Sequence, residues 1–71
     1  MQYFKTMMPV PGKGEAWTFY ECDAARTVRR QMTYFTGTGE VQRVPDPIVK
    51  QLYRPEVLSE ADGEEFLRLW G

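Results

Sequence analysis

Histidine is absent from the chain and cysteine occurs once, at position 22. The first absence removes imidazole from both catalysis and metal ligation, and the second excludes an internal disulfide. Small secreted domains usually rely on several disulfides for stability, so a lone thiol leads to the expectation of a reducing, cytoplasmic compartment. Long apolar runs are also missing. The first eleven residues hold one Lys, scattered apolar residues and prolines at 9 and 11, which fits neither a charged leader with an apolar run nor a helix spanning a membrane. An excess of either charge is lacking too: nine basic residues face ten acidic ones, and a net charge of −1 gives no strong field toward nucleic acid or an anionic membrane.

What the chain does contain is 42% apolar residues, among them two Trp, four Phe and four Tyr, in only 71 positions. A chain of this size makes one small domain and has to use most of those side chains as core. The charge is unevenly spread. Residues 1–23 sum to minus one, residues 24–55 to plus four and residues 56–71 to minus four, so a basic middle precedes an acidic end that would partly neutralise it.

Turn-rich stretches at 9–14, 22–26 and 36–40 cut the front half into strands expected at Tyr3–Met8, Ala16–Cys22, Thr27–Phe35 and Glu40–Val44. Trp17 and Phe19 share one face of the second strand, with Thr18 and Tyr20 on the other. In the third, Val28, Met32 and Tyr34 alternate with Thr27, Arg29, Gln31 and Thr33. Arg30 shares the apolar parity, which requires either a buried stem with its head in water or an acidic partner. Val41 and Val44 cannot both face inward without a bulge or an early end.

From Asp46 the spacing predicts helices. Asp46 as N-cap and Pro47 as the first helical residue would open a two-turn helix with Ile48, Val49, Leu52 and Tyr53 as its apolar stripe, ended by Pro55. Ser59 and Asp62 resemble a capping box ahead of a helix over 60–70, although Gly63 moves its start toward Asp62. The fold expected is therefore α+β: a three- to four-stranded antiparallel meander followed by two short helices packed on one face. Its core would be Trp17, Phe19, Val28, Met32, Ile48, Leu52, Phe66 and Trp70.

Groups able to do chemistry are few. Cys22 lies between Glu21 and Asp23, whose charges disfavour a thiolate. The acids at 60, 62, 64 and 65 sit where a solvated helix start is expected rather than across a pocket. Gly37-Thr38-Gly39 is a hairpin turn, being too short for a dinucleotide loop and followed by no helix. No catalytic residue, cofactor or metal is assigned. The one constellation with binding potential is the cationic set Arg26, Arg29, Arg30, Arg43, Lys50 and Arg54. Candidate binding residues on the open sheet face are Tyr20, Arg29, Gln31 and Arg43. They would serve a non-enzymatic domain that binds another protein, or a second copy of itself, through that face or an edge strand. The alternative is single-stranded nucleic acid, with a base stacked on Tyr20 and arginines on the phosphates.

Trp17, Tyr20, Glu21, Asp23, Arg26, Arg29, Phe35, Gly39, Glu65, Phe66 and Trp70 together resemble a group of short, uncharacterised bacterial proteins. In that group an aromatic Tyr-x-Glu strand precedes an Arg-containing strand and a C-terminal helix with Phe and Trp. The resemblance implies a compact sheet-plus-helix fold in a bacterial cytoplasm and carries no activity with it.

Overall fold

The structure, a computed structural model, describes residues 1–52 and 55–71. Alternating polar and apolar residues build strands β1 (Gln2–Val10), β2 (Gly14–Cys22), β3 (Val28–Phe35) and β4 (Val41–Val44). After a 3-10 turn at Pro55–Val57 come β5 (Ser59–Glu60) and helix α1 (Gly63–Trp70). All pairings are antiparallel, in the order β4-β3-β2-β1-β5. The α+β class is as the sequence implies, with one more strand and one fewer helix.

Register decides which side chains face α1. Trp17 lies between Met7 and Tyr34, Phe19 between Lys5 and Met32, and Glu21 between Tyr3 and Arg30. Phe66 of α1 closes this face. It is fully buried with Phe19 and Met32, and Tyr3, Trp17, Tyr34, Val41, Leu69 and Trp70 pack around that cluster. The two tryptophans thus share one interior, as the aromatic spacing requires. Val41 pairs with Tyr34 on the helix face, and Val44 pairs with Gln31 on the other.

Three core expectations are corrected. Between Glu21 and Cys22 the β2–β3 register shifts, so that Cys22 rather than Asp23 pairs with Val28. The bulge at Arg29 moves Val28 off the parity of Met32: it is buried opposite Cys22 on the face away from α1. Ile48 is 97% exposed. Leu52 is only half-buried.

The expected helix after Asp46 does not form. Residues 46–52 contain no helical turn, and Tyr53 and Arg54, which the expected helix included, lie outside the described residues. Two turns with the β-branched pair Ile48-Val49 are too short to offset the cost of helix nucleation. The backbone is used by the sheet instead. Val28 N–H donates to the Lys50 carbonyl at 2.7 Å, and Thr27 bridges Gln51, so this segment continues the line of β4 along β3.

Ser59 is likewise a strand residue opposite Lys5 and not a cap. The cap of α1 is Asp62, whose carboxylate accepts from Glu64 N–H at 3.0 Å. Gly63 at the first helical position has a packing reason. A Cβ there would stand 2.8 Å from the Tyr3 ring, which is held by its hydroxyl on Glu21 and by Phe66 behind it. Gly63→Ala, which helix propensity alone would make stabilising by roughly 1 kcal/mol, is expected to cost about 1–2 kcal/mol instead. A urea midpoint above that of the natural chain would show that the ring moves freely.

Candidate functional site

The face of the sheet turned away from α1 is ordered in rows set by the register. The middle row runs Thr6, Thr18, Thr33, Gln42 across β1 to β4, with the Thr18 and Thr33 hydroxyls 3.4 Å apart. On one side of it lies Phe4, Tyr20, Gln31, Val44; on the other, Met8, Ala16, Phe35. None of the residues that pair across β1 to β4 on this face carries a charge; Arg29 of β3, in the parity of Gln31 and Thr33, stands unpaired at the bulge. The helix face is the reverse, holding Lys5, Glu15, Glu21, Arg30 and Arg43. Ionic groups border the paired rows, and Lys13 lies 4.8 Å over the Phe35 ring. Glu60 stands beside Phe4 on β5, Arg26 lies 5.7 Å over the Phe4 ring, and Arg29 is exposed at the bulge.

Of the four candidate binding residues, Tyr20 and Gln31 are cross-strand partners on this face and both are half-buried. Burial, and then the neighbouring Cys22, push the Tyr20 hydroxyl above its usual pKa, so it stays a neutral donor. Arg29 sits at the border. Arg43 is not on this face. It pairs with Met32 and so points to the helix side, where its guanidinium donates to the Trp70 carbonyl and, at 3.3 Å, to that of Leu69. A cation there satisfies orphan carbonyls and complements the negative end of the helix dipole.

Sequence reasoning did not single out Glu21 as a structural hub, yet its carboxylate accepts from both Arg30 and Tyr3. Its side chain is 6% exposed, and Arg30 grips it in a fork, Nε to Oε1 at 2.6 Å and Nη2 to Oε2 at 2.7 Å. The Tyr3 hydroxyl donates to Oε2 at 2.9 Å. The Arg30 guanidinium also lies 4.8 Å over the Trp70 ring and 5.3 Å over Phe66. Arg30 chiefly, and Tyr3 after it, hold the Glu21 carboxyl below the usual range against the opposing effect of burial. The signal was present: Glu21 has the parity of Trp17 and Phe19, and Arg30 that of Met32. Two opposite charges, each in the apolar parity of adjacent strands, are a pair.

Cys22 is fully buried, and burial first, then Asp23, raise its thiol pKa, which disfavours the thiolate a nucleophile requires. Among the described residues no group of acids and the thiol is placed to hold a metal ion, and no helix is long and apolar enough to cross a membrane. Comparison with protein-family models, curated proteins and solved structures finds no match to this chain.

Proposed function

We propose that the protein is a non-enzymatic binding domain that receives another polypeptide on its open sheet face. The observation that carries this reading is the missing charge. A sheet face meant for water is studded with Lys and Glu, and this chain, 27% charged, places no charged residue among the cross-strand pairs of this face from β1 to β4. Instead the face offers aromatic and aliphatic rows around neutral hydroxyls, a composition close to that of interface centres, with Arg26, Arg29 and Glu60 as a polar rim.

Edge pairing is a second route to the same partner class, and the two edges differ. β5 covers β1 at Phe4 and Lys5, and Pro9 removes a donor from the rest of that strand. The outer edge of β4 has Val41 and Arg43 amides directed outward, since Glu40 accepts from Phe35 on the inner side. The face is the larger surface and the one we favour.

The nucleic-acid alternative has less support. Arg30 is bound to Glu21, Arg43 to the end of α1 and Lys50 to Asp46, which among the described residues leaves few cations, Lys13, Arg26 and Arg29, beside the face for a phosphate backbone.

A photoreactive amino acid placed at Thr33 in expressing cells is expected to give discrete cross-linked polypeptides, while the same probe at Leu67, exposed on α1, gives none. Equal yields at the two positions, or none at Thr33, would remove the binding face.

A further inference from the structure

We infer that the occupant of the open face is a second copy of this chain, joined face to face about a twofold axis into a closed two-sheet sandwich. The inference rests on the binding-face reading and adds the identity of the partner. Self-association requires that a surface be complementary to itself, and the row order meets that condition. With the twofold axis lying in the plane between the sheets, either along the strands or across them, the hydroxyl row of one copy falls on the hydroxyl row of the other. The flanking rows, Phe4-Tyr20-Gln31-Val44 and Met8-Ala16-Phe35, apolar but for Gln31 and the Tyr20 hydroxyl, fall each on itself with the axis along the strands and on one another with the axis across them. The paired rows carry no charge, which removes the like-charge juxtaposition that a twofold contact otherwise creates at its centre and leaves Lys13, Arg26 and Arg29 outside those rows.

The area is sufficient. Four strands at about 4.8 Å spacing and some seven residues of length give a footprint on the order of 500 Å² per copy, or about 1,000 Å² for the pair, which reaches the threshold for a specific contact. Sheets pack face to face at about 10 Å, a gap that side chains of the size of Phe4, Tyr20 and Phe35 fill from both sides. A further gain falls to the monomer's weak point. Cys22 and Val28 are already buried by this chain at one end of this face, apart from the Phe19–Met32–Phe66 cluster, and a second sheet would cover the half-buried rows beside them.

Sedimentation equilibrium of the full chain, over loadings from micromolar to hundreds of micromolar, tests this directly. The expected result is a mass rising from one chain to two. Thr33→Lys, at the centre of the face, is expected to hold the mass at one chain, because the two copies would bring their new charges together near the axis. Val44→Glu at the margin is expected to weaken the association about tenfold. Leu67→Lys on the exposed side of α1 is expected to associate as the natural chain does. Trp17 and Trp70 both lie on the helix side, so their fluorescence reports whether each variant is folded independently of the contact. A single-chain mass at the highest loading, or a folded Thr33→Lys that still doubles, would overturn the inference. A monomer that cross-links at Thr33 to a different polypeptide refutes self-association and leaves the binding face standing; a monomer that cross-links to nothing refutes both.

Discussion

Phe66→Ala is expected to abolish most of the cooperative unfolding transition, with a loss of about 3–5 kcal/mol. The size follows from position and not from residue type alone. Phe66 is fully buried and is the buried side chain that α1 contributes to the core. Its ring meets Tyr3 at 5.2 Å, Phe19 at 6.5 Å and Trp70 at 5.7 Å, and Arg30 lies 5.3 Å over it. A helix of eight residues has no stability in isolation, so α1 exists because Phe66 anchors it. A chain of this length has about 4–10 kcal/mol of total stability at roughly 0.05–0.15 kcal/mol per residue, and the loss is therefore comparable with the whole. Urea unfolding followed by tryptophan fluorescence, at one fixed chain concentration so that any self-association is held constant, is the measurement. Phe66→Leu should recover most of the loss. A midpoint for the alanine variant equivalent to a change under about 1 kcal/mol would mean that the sheet is stable without the helix.

Where the sequence was legible, one periodicity ran uninterrupted through several residues. The strands β2 and β3 follow from period-two alternation and bring Trp17, Phe19 and Met32 to one face, while Phe66 and Trp70 follow from helical spacing; Phe4, the inward candidate of the first strand, lies on the opposite face with Tyr20. What it did not reveal depends on contacts distant in the chain. Residues 46–52 carry helix-like capping and spacing, yet β3 offers backbone partners at Thr27 and Val28, and hydrogen bonds to the sheet replace a helix that is too short to nucleate. Ser59 and Glu60 contain no strand signal at all, since a two-residue strand is defined only by the β1 edge it joins. The bulge that turns Val28 to the other face has no marker in the residues around it.

The candidate site divides along the same line. Tyr20 and Gln31 were placed correctly because strand parity alone fixes them. Arg43 was misplaced because its side follows from the β3–β4 register, which pairs it with Met32. The more telling property, paired rows without charge, was readable from parity in β2; in β3 parity places Arg29 on the same face, and only the bulge takes it out of the cross-strand pairs. It was passed over because attention to the arginines selects for charge, and the face proposed for binding is marked by its lack.

Arg30→Met is the second large effect expected, a loss of about 3 kcal/mol at neutral pH. Removing the guanidinium leaves Glu21, 4% exposed, as a buried carboxylate with only the Tyr3 hydroxyl of its present side-chain donors, and also strips the cation from the Trp70 and Phe66 rings. The cost thus lies mainly in the abandoned acid. Glu21→Gln combined with Arg30→Met keeps an acceptor for Tyr3 without the charge, and is expected to regain more than half of what the single variant loses. The pH dependence separates this from a plain loss of packing. In the natural chain Arg30 holds the Glu21 carboxyl below its unfolded value, so the contribution of the pair is complete above the usual carboxylate range and fades as pH falls through the lowered folded pKa. Without Arg30, burial raises that pKa above the unfolded value, and the sign reverses: folding then takes up a proton, and the variant is penalised as pH rises. Lowering the pH from 7 toward about 4.5 should accordingly narrow the gap between the two urea midpoints. A gap that stays constant over that interval would place the loss in the stacking of Arg30 on the rings, and would show that Glu21 reaches water once its partner is gone.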